Sequence, residues 1–213
     1  MKDNYIFELN SSVKRQAVTY KNRYGLEIVG DLYSAVDLDE TKKHPALIVG
    51  APYGGVKEQG PGVYANELAQ RGFVVLTFDQ SFMGDSQGEP RHISSPEIFT
   101  ENFSAAVDYL GLQPYVDRNK IGVIGICGSG GFALSAAQMD TRIKAVVTTS
   151  MYDISDATQG KGQLSKEDLQ ALKEQLSLQR WKDAENGYPE YIPSFPLEPA
   201  SSIPDDLSEV DAL

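Results

Sequence analysis

Apolar runs of strand length alternate along the chain with stretches in which apolar residues recur at helical spacing. The predicted strands are 13–20, 26–33, 45–50, 73–78, 121–125 and 143–149. The predicted helices are 63–70, 96–112 and 129–139. The runs 45–50 and 73–78 are continuous, which is typical of strands buried on both faces of a parallel sheet. The pattern predicts an α/β fold, a mostly parallel sheet flanked by helices, with an antiparallel strand pair at its start.

The pattern changes after Ser150. Residues 164–181 predict an amphipathic helix. One side of this helix carries Leu169, Leu172, Leu176 and Trp181. Its start resembles a capping box, in which Ser165 and Asp168 would exchange hydrogen bonds with each other's backbone amides. The helix is interpreted either as a cap-like segment outside the sheet or as an ordinary packing helix.

The chain divides by composition into three parts: a core over 1–150, a helical cap-like segment over 151–185, and a tail over 186–213. The tail holds six acidic side chains and no Lys or Arg, and it is rich in Pro and Ser. Such a composition predicts a solvated, loosely ordered segment. The alternative is a linker into further sequence or towards a partner.

The net charge of the 213 residues is −11, which argues against nucleic acid and anionic membranes as partners, because both select basic surfaces. The apolar runs are too short to span a membrane, and no signal peptide is recognised. The single cysteine fits a reducing compartment, so a cytoplasmic location is expected. No cofactor and no metal are expected.

The single cysteine, Cys127, lies where an apolar strand turns directly into a helix rich in small residues. Gly125 stands two residues before it, and Ser129 stands two residues after it, where glycine is usual. This spacing is that of a nucleophile elbow with cysteine in place of serine. The alternative for a lone cysteine is a small buried apolar side chain.

The elbow would place the start of a helix next to the thiol, which favours the thiolate form. The amide of Gly128 could donate to the oxyanion of a tetrahedral intermediate. A second donor is expected from the glycine-rich loop over 51–59, where Tyr53 and Gly54 are the candidates. Tyr53 could act through its amide or its hydroxyl, and the alternative is a glycine-rich turn without chemistry.

Two serines compete with Cys127 as candidate nucleophiles. Ser86 lies at the centre of a literal G-x-S-x-G match, but loop residues rather than a helix follow it, so it is rejected. Ser129 falls inside the first turn of the helix rather than on the elbow.

With the elbow, the loop and the strand order in hand, the chain resembles the α/β-hydrolase superfamily. Its cysteine nucleophile is similar to that of dienelactone hydrolases. A closer resemblance is to bacterial α/β-hydrolases related to fungal polyketide transferases. The stretches that carry it are 54–59, 79–91 and 125–131, with weaker support from 150–153.

The resemblance implies a nucleophile, an acid and a histidine in that chain order, on strands that continue beyond 143–149. Asp153 is the candidate acid, with a helix cap or turn as the alternative. The two histidines, His44 and His92, both precede Cys127. His44 is expected at the sheet edge opposite the elbow, and His92 nearer to it. The fold is therefore expected to lack its last strands, and the chain to be truncated at its C-terminus.

Two functions follow from these residues. The first is an enzyme that acts on a small-molecule ester, lactone or thioester through an acyl-Cys127. The second is a catalytically incomplete chain that acts as a binding or assembly subunit. In the second case, a second polypeptide or self-association would complete the sheet beside strand 143–149.

Overall fold

The computed structural model describes residues 5–151, 153–158 and 164–191. The chain divides into two compact units, Met1–Leu164 and Ser165–Leu213, and each is described by itself. Most of the segment predicted as an acidic tail, residues 192–213, lies outside the described residues.

The first unit is built on a mixed sheet of six strands in the order β1-β2-β4-β3-β5-β6. The strands are β1 (Val13–Lys21), β2 (Glu27–Ala35), β3 (His44–Gly50), β4 (Val74–Phe78), β5 (Val116–Ile126) and β6 (Ile143–Thr149). The pairs β1–β2 and β2–β4 are antiparallel, and the pairs β3–β4, β3–β5 and β5–β6 are parallel. The predicted α/β class and the antiparallel start of the sheet are confirmed.

Strand β3 lies between β4 and β5 although it precedes both in sequence. Gly50, its last residue, pairs with Phe78 at the end of β4 and with Gly125 near the end of β5. The loops that leave these three strands therefore emerge side by side at one edge of the sheet. This edge is where α/β folds bind ligands.

Helices cover both faces of the sheet. The helices of the first unit are α1 (Gly60–Ala69), α2 (Pro96–Gly111), α3 (Ser129–Met139) and the short α4 (Ile154–Thr158). Aromatic side chains of α2 and α3 pack on one face, with Phe103 edge-on to Phe78 and Phe99 edge-on to Phe132. The opposite face packs against the small residues of α1.

The buried face of α1 differs from the one that its apolar residues indicate. Val63 is exposed, and the buried residues are Pro61, Gly62, Ala65, Asn66 and Ala69. Helix α1 also begins three residues earlier than predicted, because the proline in its first turn is compatible with a helix start. The small residues let the helix lie close to β4.

The second unit contains α5 (Lys166–Asn186). Its capping box is confirmed: Ser165 Oγ accepts a hydrogen bond from Asp168 N, and Asp168 Oδ2 accepts one from Ser165 N. Gly187 ends the helix in the left-handed conformation. No residue of α5 is buried. None of the helices in the described part of the chain is both long and apolar enough to cross a membrane.

Candidate active site

Cys127 occupies a strained turn between the end of β5 and the start of α3. Its φ of 54° lies in the left-handed region, which costs a residue other than glycine about 1–2 kcal/mol. Its amide donates to Thr149 O at 2.9 Å, and its carbonyl accepts from Gly130 N at 3.0 Å. The side chain is half-buried. The sharp strand-to-helix turn that the sequence predicts is therefore present, and the thiol is not sealed in the core.

The elbow depends on glycines that let α3 approach the sheet. A Cβ atom on Gly125 would lie 2.5 Å from Ser129 O and 2.6 Å from the Cα of Gly130. A Cβ atom on Gly130 would lie 2.6 Å from Met151 Cγ. Ser129 is buried, and its hydroxyl lies against Gly50, so it does not compete with Cys127 for a ligand.

The loop that follows β3 brings its backbone next to the elbow. A Cβ atom on Gly128 would lie 2.8 Å from the Cβ of Tyr53 and 3.5 Å from its backbone nitrogen. Gly54, with φ of 79°, and the hydrogen bond from Gly55 N to Pro52 O at 2.8 Å shape this loop into a tight turn. Two of the predicted oxyanion donors, Tyr53 and Gly128, are thus neighbours in space.

The amides of these residues are available to a ligand. Within the described part of the chain, the amides of Tyr53, Gly54 and Gly128 donate to no protein acceptor. Gly128 is itself buried. Buried amides without an acceptor are rare in folded proteins, and they point to a bound group or water. The Tyr53 nitrogen faces Gly128, whereas the Tyr53 side chain is exposed.

Asp153 caps the short helix α4. Its Oδ1 accepts hydrogen bonds from Ser155 N at 2.8 Å, Ser155 Oγ at 2.7 Å and Asp156 N at 3.1 Å. The hydroxyl bond of Ser155, followed by the amide bonds, lowers the pKa of Asp153. The cap that the sequence offered as an alternative is therefore real, while the role of Asp153 as a catalytic acid stays a prediction.

The two histidines lie in different regions of the first unit. His44 begins β3, and its Nε2 lies 2.8 Å from Asp39 O, at the edge of the sheet opposite Cys127. His92 lies in the loop between β4 and α2, where its exposed side chain follows a left-handed backbone with φ of 61°. Its amide donates to Phe82 O at 2.9 Å.

The literal G-x-S-x-G match is a structural turn. Ser86 is buried, and its hydroxyl donates to Asp79 O at 2.8 Å and accepts from Val29 N at 2.9 Å. The first bond closes the loop on the residue that follows β4, and the second ties the loop to β2. The hydroxyl of Ser86 therefore has a structural role.

An ion cluster around the buried ammonium of Lys57 was missed from the sequence. The ammonium of Lys57 lies 2.6 Å from Glu58 Oε1, 2.7 Å from Asp85 Oδ2 and 2.9 Å from Asp79 Oδ2. Burial opposes the charge on Lys57, but its carboxylate partners, Asp79 first, raise its pKa well above the usual lysine range. The only sequence signal was that both Lys57 and Asp79 fall within the stretches that carry the family resemblance.

The fold defines the class of the protein: it is an α/β-hydrolase fold, with Cys127 at the turn between β5 and α3. The model of the X-Pro dipeptidyl-peptidase (S15) family matches residues 25–190, and the chain belongs to this family.

Relatives of the chain include bacterial and fungal proteins. Uncharacterized protein PA2218 of Pseudomonas aeruginosa is 48% identical over 192 residues, which are 89% of this chain and 51% of that protein. Thiohydrolase aneE of Aspergillus aculeatus is 35% identical, over 58% of this chain and 37% of that protein. Polyketide transferase af380 of Aspergillus fumigatus is 30% identical, over 65% and 46% respectively. The resemblance to relatives of fungal polyketide transferases is confirmed.

Solved structures agree with this assignment. The crystal structure of PA2218 matches with a TM-score of 0.86 at 47% identity, over 90% of this chain and 60% of that one. The α/β hydrolase GrgF from Penicillium sp. sh18 matches with a TM-score of 0.72 at 24% identity, over 84% and 58% respectively, which is a likeness of fold. The chain spans about half the length of PA2218, the relative with 48% identity.

Proposed function

We propose that the chain carries the nucleophile and the oxyanion site of an enzyme that hydrolyses or transfers acyl groups from thioesters or esters. The observation that carries this proposal is the position of Cys127. It is a half-buried thiol on a left-handed elbow, next to the amides of Gly128 and Tyr53, which donate to no acceptor among the described residues. The S15 family and the α/β-hydrolase fold support hydrolysis or transfer as the class of reaction.

In the proposed first step, the thiolate sulfur of Cys127 attacks the carbonyl carbon of the substrate. The negative charge moves to the carbonyl oxygen, where the amides of Gly128 and Tyr53 donate hydrogen bonds to it. The carbon–sulfur or carbon–oxygen bond of the substrate then breaks, and the leaving thiol or alcohol takes up a proton. The acyl group remains on Cys127 as a thioester.

In the proposed second step, a base takes the proton of water or an acceptor alcohol, whose oxygen attacks the carbonyl carbon of acyl-Cys127. The carbon–sulfur bond then breaks, which releases the acid or the new ester and restores the Cys127 thiolate. This step needs a general base, whose help is worth about 10²- to 10⁴-fold. We propose Asp153 as the acid that would orient a histidine base, through Oδ2, because the cap of α4 uses Oδ1. The chain contains no histidine after Cys127, so acylation is expected to outrun deacylation in this chain.

Thioesters are the favoured substrates in this proposal. The relatives named thiohydrolase and polyketide transferase support an acyl thioester as the acyl donor. A thiol nucleophile also has to stay reduced, which supports the cytoplasm as its compartment. The identity of the acyl group stays open to experiment.

The test is to mix the protein with an activated acyl ester or an acyl thioester and to measure the intact mass and the released leaving group. We expect a burst of about one equivalent, an acyl adduct on Cys127, and a slow steady rate. Cys127→Ala is expected to abolish both the burst and the adduct. A wild-type protein that forms no adduct, or an adduct that persists in Cys127→Ala, would contradict the proposal.

A second candidate function is assembly through β6, and it depends on a different observation. Within the described residues, β6 pairs only with β5, and it ends the sheet. Four of its seven residues are exposed, with Val147 at 51%. Unpaired edge strands accept further strands. We propose that a second polypeptide, or a second copy of this chain, pairs with β6.

Sedimentation of the purified chain tests the second candidate. A dimer that Val147→Lys dissociates would support pairing between copies. A monomer that binds a co-expressed partner, and loses it in Val147→Lys, would support a second polypeptide. A monomer that no partner joins, or binding that Val147→Lys leaves unchanged, would contradict assembly through β6.

A further inference from the structure

We propose that Lys57 is a positioning residue that holds the Tyr53 amide against the elbow, an inference that rests on the proposed acyl chemistry. Lys57 lies in the loop between β3 and α1, four residues after Tyr53. It is 3% exposed, although lysine is among the residues that are least often buried. A lysine buried this deeply needs partners for its charge, and the partners identify what it does.

The ammonium of Lys57 has no hydrogen left for a substrate. An ammonium carries three donor hydrogens, and three carboxylates accept from it, those of Glu58, Asp79 and Asp85. Its charge is held in place by these neighbours. Lys57 is therefore suited neither to bind the acyl donor nor to act as a base, and its effect has to pass through the loop to which it belongs.

Asp79 connects this loop to the next strand. It is the first residue after β4 and is fully buried. Its Oδ1 accepts from Lys57 N at 2.8 Å, and its Oδ2 accepts from Lys57 Nζ at 2.9 Å and Asp85 N at 3.0 Å. Gly84 is packed against the carboxylate, where a Cβ atom would lie 2.3 Å from Oδ2. One carboxylate thus fixes the loop after β3 and the loop after β4 to each other.

The oxyanion loop needs this anchor because its own sequence is permissive. Gly54 and Gly55 separate Tyr53 from Val56 and Lys57, and glycine restricts the backbone least of all residues. The loop leaves the sheet at Gly50. Further along the loop, Lys57 bonds to Asp79, the residue that follows the neighbouring strand β4. With both ends held, the Tyr53 amide stays beside Gly128. Without the bonds of Lys57, the flexible glycines allow the Tyr53 amide to move away from Gly128.

The sheet order makes this arrangement possible. Because β3 lies between β4 and β5, its loop is flanked on one side by Asp79 and on the other by Cys127. The ion cluster on the β4 side can therefore set the position of an amide that works on the β5 side. The charged groups contact the loop on its β4 side, and in this proposal the backbone of the loop transmits their effect.

Two reactions of Cys127 distinguish a misplaced Tyr53 amide from a distorted or unfolded elbow. Alkylation by iodoacetamide needs an accessible thiolate, but it develops no charge on a carbonyl oxygen. Acylation by an activated ester needs the same thiolate and also the oxyanion donors. A misplaced amide should slow acylation alone, whereas an unfolded or distorted elbow should change both rates.

The variants are Lys57→Met, Asp85→Asn and the control Lys14→Met on β1, which removes an exposed ion pair with Glu40. We expect Lys57→Met to slow acylation about 10- to 100-fold, in line with a donor displaced by about 1 Å, and to change alkylation less than about 2-fold. Asp85→Asn is the less disruptive substitution, because that side chain is 69% exposed. It provides the test if Lys57→Met does not fold. We expect it to slow acylation about 2- to 5-fold, as one charge-assisted bond is weakened.

The outcomes separate this inference from the function on which it rests. Positioning is supported if Lys57→Met or Asp85→Asn lowers the acylation rate of Cys127 without changing its alkylation rate, and if Lys14→Met changes neither rate. Equal losses in both reactions, or no loss in either, would overturn the role of Lys57 while the acyl chemistry stands. A wild-type protein that is alkylated but never acylated would overturn the proposed function, and the role of Lys57 with it.

Discussion

The carbonyl oxygen of Ser129 lies 2.5 Å from the point that a Cβ atom on Gly125 would occupy. This contact is tighter than any side chain allows, and it involves backbone rather than a movable side-chain end. It explains why the residue two positions before Cys127 has to be glycine: the first turn of α3 lies directly on the last residues of β5.

Gly125→Ala is expected to destabilise the fold by about 1–3 kcal/mol, because the strand and the helix have to separate to admit a methyl group. Urea unfolding measures the loss, and iodoacetamide alkylation of Cys127 reports the distorted elbow. The matched control is Gly131→Ala in the same helix, where a Cβ atom meets nothing within 4 Å. That change is expected to stabilise by about 0.5–1 kcal/mol. Equal effects of the two substitutions would contradict this account.

Gly54→Ala is expected to slow acylation of Cys127 more than its effect on stability explains. Its φ of 79° is left-handed and its surroundings are open, so the cost of alanine is conformational, about 1–2 kcal/mol. Gly25→Ala in the turn between β1 and β2 is a close match, with φ of 82° and equally open surroundings. We expect similar losses in the free energy of unfolding, but slower acylation in Gly54→Ala alone. If both variants slow acylation to the same extent, Gly54 has no specific role in the oxyanion site.

Asp31→Asn is expected to change how stability depends on pH. Asp31 is buried in β2, where it accepts a hydrogen bond from Tyr5 Oη at 2.6 Å, and burial raises its pKa. Between the ordinary aspartate pKa of about 3.9 and this raised value, the unfolded chain binds fewer protons than the folded one. Wild-type stability therefore falls relative to Asp31→Asn as the pH rises through that window.

Urea unfolding of both proteins from about pH 4 to about pH 7 measures this difference, because the other groups titrate alike in both. Asp153→Asn serves as a control, because its difference from wild type should stay nearly constant over this range and change, with the opposite sign, only below about pH 4. Hydrogen bonds lower the pKa of Asp153, so its contribution is present above the ordinary pKa and is lost as the pH falls through the lowered one. A constant difference between wild type and Asp31→Asn would show that Asp31 does not titrate as its burial implies.

His92→Ala is expected to leave the acyl burst and the slow steady rate unchanged. The side chain of His92 is exposed on a loop, and the proposed order of the catalytic groups places the base after Cys127. His44→Ala at the opposite edge of the sheet is the control. Release of the leaving group from an activated ester measures both phases. A fast steady rate that is lost in His92→Ala, but kept in His44→Ala, would instead assign His92 as the base.

Much of the fold could be predicted from the sequence, because the signals are local. The strand 143–149 was predicted to the residue, and the capping box at Ser165 was found where predicted. Helix α1 was less clear, because a Gly-Pro-Gly start resembles a turn, and its buried face is made of small residues rather than Val63. Strand β5 begins at Val116, before an exposed polar stretch that carries no strand signal.

The candidate site was predictable where it depends on adjacent residues and unpredictable where it depends on strand order. The elbow at Cys127 follows from glycines and a strand-to-helix transition within seven residues. The contact between Lys57 and Asp79 joins residues from two loops, and a charged lysine in a sequence is interpreted by default as a solvated one.

The sequence by itself determined most of the elements, the elbow and the nature of its side chain, since periodicity and glycine geometry act over a few residues. Only the tertiary structure decided that β3 lies between β4 and β5. That order brings the Tyr53 amide to Gly128 and Lys57 to Asp79. The physical reason is that strands of similar apolar character, distant in sequence, could pair in several orders. No local sequence pattern specifies which of them become neighbours.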